Sequence, residues 1–559
     1  MGLFKTSSLI KFTLILNIFT LPLLAEESDK RHILYLMHSN EIEKAFSQFQ
    51  KASETEAIDL DILQKMSLIL LKNGANSDDI EIQKLSMFGA GLSASNISLD
   101  ILEIGLKSED LETQLLSLHF ISLLNDNKTD ILLSSAMRSD FLPTRLEAAY
   151  HMAQRKHPHA VGQIESLMFR LPIFLKPFFP HLFAMIGTES ATKYLLRFLN
   201  DANSDVRLEA ILSIANLNRD DLLSHLRKKF PNSTIAEKEA ICHTFFRLND
   251  TSSLEDIKKL ATSNIENVKL SALRALYHLG DHTKKEEIEK LAKENNLFAV
   301  SLLKEIPGTE KTLKSLLKSQ NKLVKVNAAI SLLKLKDPSC IDILKAILVT
   351  DSKDTAIEPF YSIGRTMYYF KTVPKAIYKV KDIKNDPSLP IRESLLKETL
   401  ELNEEDFLQI VKLIFDSAQN DLVPTSITLL ENLASEKAIV FLEDRAKNSN
   451  IPLIRDYSNL ALYRLKKEEP YQDYIANWIK NKNHEDIIEL NINPDKKTNI
   501  TQNIYSLTKA ETTRLLLDMY VALASKQDEK SLKIIIDSIK KTNPKNRYAL
   551  AGMLIRATQ

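Results

Sequence analysis

One position in this chain recurs about every 31 residues, and that recurrence limits the possible folds more than any other feature. The ladder runs Ser86, Ser117, Ala148, Phe179, Ala210, Ala240, Ala272, Ser301, Ala328, Tyr361, Leu395, Ile427 and Ser458, in steps of 27 to 34. Around Ala210 the apolar residues Val206, Ile211, Ile214 and Leu217 fall at helical spacing, the signature of a buried helix face. The stretch Asp205-Val206-Arg207-Leu208-Glu209-Ala210 returns in part around Val268-Lys269 and Val324-Lys325. A period of about 30 residues holds one helical hairpin, and a small anchor lets neighbouring helices approach closely. Three places before the anchor stand Gln83, Gln114, Arg145, Lys176, Arg207, Lys269, Lys325, Arg392 and Arg455, with Glu237, Phe298, Glu358 and Pro424 as exceptions. A polar ladder near the start of each second helix follows.

Repeat arrays grow by adding units, so 559 residues do not by themselves imply several domains. Eleven glycines in the whole chain are too few for barrels, sandwiches or doubly wound sheets, which use glycine in hairpins and phosphate-binding turns. Lys plus Arg is 74 and Asp plus Glu is 73, so no long-range field of one sign draws nucleic acid or acidic lipid, although local patches remain possible. Cys242 and Cys340 stand about three units apart, roughly 30 Å for helices packed at about 8 to 10 Å, too far for a disulfide.

The Asp-Val-Arg-Leu-Glu-Ala form at 205 to 210, the Val-Lys at 268 to 269 and the period resemble the HEAT repeats of the short PBS-lyase HEAT-like type, within the armadillo-like helical superfamily. The resemblance implies an all-α fold: an α-solenoid of about 13 to 16 HEAT-like helical-hairpin repeats. It also implies that Asp205 and Arg207 help hold adjacent units together, a pattern that Asn267 and Lys269 match only partly. A tetratricopeptide array fits less well, because its period and its Trp, Gly and Tyr positions are not met.

The expected organisation is a signal peptide over 1–25, N-terminal capping helices over 26–60, the solenoid over 61–470, a polar linker over 471–502 and a C-terminal helical capping unit over 503–559. The solenoid should be irregular at 170–183, where Pro172, Pro177 and Pro180 cannot all sit in undisturbed helix, and at 351–390. Lys5 and Lys11 precede the apolar run Phe12 to Leu24, which ends at Ala25 before Glu26-Glu27. That run is short for a membrane span and reads as an export signal cleaved after Ala25, with an uncleaved anchor as the alternative. The product would be exported: periplasmic or secreted in a bacterium, or within the secretory pathway of a eukaryote, where Asn96, Asn127, Asn232, Asn249 and Asn499 lie in acceptor sequons.

Catalytic motifs are sparse. Gly89-Ala90-Gly91-Leu92-Ser93-Ala94 meets the bare dinucleotide pattern but lies in a helical repeat with no strand before it. Ser-x-x-Lys at Ser301, Ser315, Ser319 and Ser331 has no accompanying Lys-Thr-Gly. His151, His157 and His159 would need a further ligand to hold a metal, and a solvated turn is the simpler reading. No cofactor is called for. The candidate partner-binding residues are Arg365, Tyr368, Tyr369, Lys371, Lys375 and Tyr378, where aromatic and basic side chains interleave; such pairs suit an interface, and the same rings also suit a solenoid core, the reading the pattern favours. The functional expectation is a non-catalytic scaffold or adaptor binding a protein or peptide partner. The alternatives are a lyase-like enzyme or lyase subunit, suggested by the repeat type alone, and a DNA-binding HEAT-like protein, which the near-neutral charge disfavours.

Overall fold

The computed structural model describes residues 29–54, 57–349, 389–417, 420–466, 469–488 and 505–559. The expected signal segment, nearly all of 351–390 and the candidate contact residues Arg365, Tyr368, Tyr369, Lys371, Lys375 and Tyr378 lie outside them. Among the described residues every regular element is an α- or 3-10 helix. The fold is an all-α solenoid.

The local sequence explains where the helices begin and end. Asp79, Asp110, Asn203, Thr234 and Asn321 each stand at an N-cap and accept a hydrogen bond from a backbone N–H of the first turn, which satisfies a donor the helix leaves open. At the other end, Asn218, Asn249, Gly280 and Lys336 all have positive φ. The next N–H in each case closes back onto the helix: Arg219 to Ile214, Asp250 to Phe245, Asp281 to Leu276 and Asp337 to Leu332, at 2.7 to 3.0 Å. This is the Schellman closure. Asn and Lys occupy left-handed positions usually given to glycine, so the chain turns often while carrying few glycines.

The chain divides into two compact units. Unit 2 comprises the described residues among 133–465 together with 505–507, and in it the second helices stack in series: Leu142–Gln154, Phe179–Ile186, Ser204–Asn216, Ile235–Arg247, Glu266–His278, Leu297–Leu302 and Lys322–Lys334. The anchors Ala148, Ala210, Ala240, Ala272 and Ala328 are fully buried in that stack. The segment around Pro172 and Pro177 forms a 3-10 helix, Ile173–Phe178, before the helix Phe179–Ile186.

Unit 1 comprises the described residues among 29–132, 466–488 and 508–559, so segments far apart in sequence share one core. The helix Asn546–Ala557 packs on Leu60–Ala75 and on Ile80–Leu92, which in turn packs on Leu111–Leu123. It stands where the second helix of a preceding unit would stand. Gly552 and Gly89 face one another so closely that a Cβ on either would collide with the backbone across the seam, and Gly74 lies against the Tyr548 ring. The Gly89-Ala90-Gly91 pair therefore serves helix packing, with Gly91 under the Phe120 ring. Arg547 to Glu43 at 2.6 Å, Lys545 to Glu81 at 2.7 Å and Gln50 to Asp537 at 2.6 Å rim the seam. Where the polar linker is expected to start, the chain is helical over Glu469–Lys482, because Ile475 and Ile479 give it a buried face one turn apart.

Candidate functional site

The polar ladder is a structural device rather than a site. Gln83, Gln114, Arg145 and Arg207 each reach back to the backbone carbonyl six residues earlier, those of Ser77, Ser108, Ser139 and Asp201. Each bond caps the loop that joins the two helices of a hairpin. Some members also bridge to the next unit: Lys176 pairs with Asp201 at 2.7 Å, Arg207 with Glu237 at 2.5 Å and Arg392 with Asp421 at 2.7 Å. Glu237, an exception in the sequence ladder, is thus the counterion of the preceding member. It also closes a capping box with Thr234. Burial would raise its carboxyl, but Arg207 and Lys229 together hold it below the usual carboxylate value. Asp205, which the resemblance pairs with Arg207, lies exposed in the first turn of its helix; the guanidinium turns instead to Glu237 and to the Asp201 carbonyl.

A different face of the second helices carries the densest functional chemistry among the described residues. It is built from Ile235–Arg247, Glu266–His278 and the 3-10 turn Leu303–Glu305. Arg274 donates through Nε and Nη2 to both oxygens of Glu305, at 2.7 and 2.8 Å, and its Nη1 lies 3.4 Å from His243 Nδ1. His278 Nε2 is 3.0 Å from Glu305 Oε2. The Phe246 ring receives the Arg274 guanidinium at 4.6 Å and stacks on the His278 ring at 4.9 Å, while His243 meets it edge-on at 5.0 Å. Such an arrangement holds a guanidinium flat and leaves little rotamer freedom to lose.

Arg247, Arg274, Lys304 and Lys334 lie around Glu305 and Glu398 on this face. Lys334 pairs with Glu398 at 2.5 Å. Burial, aided by Arg274 and Arg247, pushes His243 down to about 4, so it is neutral near pH 7. Burial lowers Lys304 despite the pull of Glu305. Glu305 is held down to about 2, since the His278 hydrogen bond and the Arg274 charge overcome the upward push of burial. The cluster presents a guanidinium already engaged by Glu305, with an aromatic surface beside it.

The sequence reading missed this cluster. His243, Arg274, His278 and Glu305 lie three, two, six and four places after the anchors Ala240, Ala272 and Ser301, so charged residues recurring just after successive anchors were the available signal. Of the histidines it did single out, His157 and His159 meet edge to face at 5.0 Å, whereas His151 bonds Glu147 at 3.0 Å. No group of three or more metal-ligating side chains occurs among the described residues. Cys242 and Cys340 are free and buried, and burial drives both thiols up to about 12. No helix of the described residues is long and apolar enough to cross a membrane.

No protein-family model matches the chain, and no curated protein does. Among solved structures, the complex of CpcE and CpcF of phycocyanin lyase from Nostoc sp. PCC7120 is similar at 13% identity and a TM-score of 0.18, over 50% of this chain and 92% of that one. A homology model of the full-length AP-3 complex in an intermediate open conformation is similar at 14% identity and a TM-score of 0.30, over 76% of this chain and 94% of that one. An engineered protein matches at 14% identity and a TM-score of 0.17, over 88% of this chain and 99% of that one. At these scores the likenesses carry no argument about activity, and the repeat architecture rests on the chain's own helices.

Proposed function

We propose that this chain is an exported, non-catalytic helical-repeat scaffold that binds a protein partner, and that the Arg274 face receives an acidic segment of it. The observation that carries the reading is the Arg274 guanidinium held over the Phe246 ring with the His278 ring stacked beside it, and Arg247 and Lys304 nearby. An Arg held flat beside aromatic surface is the kind of side chain that anchors interfaces. Tyr277, edge-on to His278 at 5.6 Å, widens the aromatic rim.

A labelled oligoglutamate peptide and an oligolysine peptide, titrated by fluorescence anisotropy at low and at physiological salt, test the site. The acidic peptide should bind with an affinity that weakens as salt rises, and Arg274→Ala should weaken it about tenfold, roughly 1.4 kcal/mol. Equal binding of the two peptides, or an unchanged affinity in Arg274→Ala, would remove this face from the proposal.

A further inference from the structure

The least protected apolar surface among the described residues is the tip that joins the helix Ala160–Met168 to Phe179–Ile186. Phe169 is 81% exposed, Ile173 79% and Phe174 73%. Scattered single apolar residues are ordinary on a protein surface, but three large ones within six positions are a patch that needs an occupant. The tip is not loose chain. The 3-10 helix Ile173–Phe178 holds it, Pro172 stands at its N-cap, and Pro177 and Phe178 are buried at its base. Proline fixes φ, so little backbone entropy remains to be lost when the tip is covered.

The chemistry of the tip selects among occupants. From 166 to 188, between Glu165 and Glu189, there is no acidic residue, while Arg170, Lys176 and His181 are present. Arg170 is exposed beside Phe169, and Lys176 is turned to Asp201 at 2.7 Å. The exposed rings and the Ile173 side chain carry no polar atom, so they lack the polar handle that Tyr and Trp offer to a half-wet protein interface. An apolar tip, a basic residue at its shoulder and no nearby acid in sequence complement the interfacial zone of an anionic bilayer: hydrocarbon for the tip, phosphate for the guanidinium.

The geometry points to the 169–174 tip as a peripheral docking point on an anionic phospholipid surface, inserted to the depth of its side chains without spanning the bilayer. Such a contact is independent of the Arg274 face, and either could exist without the other. Its reach is shallow, because one short tip offers only a few apolar side chains, and a single weak anchor of this size binds reversibly.

A probe placed in the tip separates its insertion from any contribution of the apolar N-terminal stretch. Ile173→Cys in the full-length protein is labelled with an environment-sensitive nitrobenzoxadiazole dye. Cys242 and Cys340 are buried and spared, and Lys311→Cys at an exposed position serves as the control. With phosphatidylglycerol-containing vesicles, the label at 173 should shift to the blue and the label at 311 should not. Replacing Phe169 and Phe174 by Ser, in the Ile173→Cys background, should abolish the shift; Arg170→Gln should weaken vesicle binding about fivefold, near the ~1 kcal/mol of one basic residue at an anionic surface. No shift at 173, or an equal shift with purely zwitterionic vesicles, overturns the proposal. So would a tip that crosslinks to a soluble protein while giving no response to vesicles.

Discussion

Two regions hold adjacent helices together by opposite means. In unit 1 the helices Ile80–Leu92 and Asn546–Ala557 meet through backbone, with Gly89 against Gly552 and no side chain between them. In unit 2 the helices Ser204–Asn216 and Ile235–Arg247 are spaced by Ala210 and Ala240 and tied at one end by the Arg207–Glu237 pair. The glycine seam gains dispersion from close approach and tolerates no added volume. The alanine stack leaves room for side chains and adds a charged bridge whose worth depends on solvent and pH. Backbone-to-backbone packing, with polar bridges only at its rim, therefore joins parts of the chain that are far apart in sequence, while neighbouring helices pack on alanine and add a buried bridge between them.

Breaking the seam should have the largest effect. Gly552→Leu forces a side chain into the Gly89 backbone and should cost about 3 kcal/mol, at the upper end of the ordinary range for overpacking. Amide hydrogen exchange resolves where the loss falls: protection should drop within 60–92 and 546–557 and hold within 204–247. Unchanged protection across 80–92 would mean that the seam does not secure the first repeats.

The polar bridge should matter less. Glu237 is nearly fully buried and Arg207 mostly so, and Arg207→Met leaves the carboxylate with Lys229, 3.6 Å away, as a partial replacement. A loss of about 2 kcal/mol is expected, less than for a buried pair left wholly uncompensated. A double-mutant cycle with Glu237→Gln, followed by exchange within 204–247, should show a coupling energy of about 1 kcal/mol. Strict additivity of the two substitutions would reduce the bridge to a solvated contact.

The smallest expected effect is the dependence on pH, and it sharpens the contrast because the glycine seam has no titrating group at its point of closest approach. His243 is held down to about 4 from an ordinary value near 6.5. The unfolded chain therefore takes up this proton first as pH falls, so the contribution is present above about pH 6.5 and is lost on the way down to pH 4. Glu305, held at about 2 against an ordinary 4.5, contributes above pH 4.5 and loses that contribution below it. His243→Gln should flatten the stability of the 235–278 region between pH 6.5 and 4, by on the order of 1 to 2 kcal/mol, without altering the drop below pH 4.5. Persistence of the full slope in that variant would assign it to another group.

The repeat was legible because it is local. A helix buries positions three and four apart, so Val206, Ala210, Ile211 and Ile214 declare their common face without reference to any other unit. Each described anchor, from Ser86 and Ser117 to Leu395, Ile427 and Ser458, is indeed buried. The candidate surface was less legible. His243, Arg274 and Glu305 belong to three successive units, and only their stacking brings a guanidinium between an imidazole and a carboxylate. Likewise, the prolines around residue 172 announce a broken unit, but not that Phe169, Ile173 and Phe174 face outward while Phe178 and Phe179 face in.

What the sequence determined by itself is the unit: helix length, hairpin period, the small anchor, the caps and the left-handed closures, all fixed by bonds within a few residues along the chain. The tertiary structure alone decided which partners the units would choose. Glu237 rather than Asp205 answers Arg207, and Gly552 answers Gly89 from the far end of the chain. Their spacing in sequence carries no information about their meeting, because contact across helices is set by how whole faces pack, and packing is a property of the assembled core.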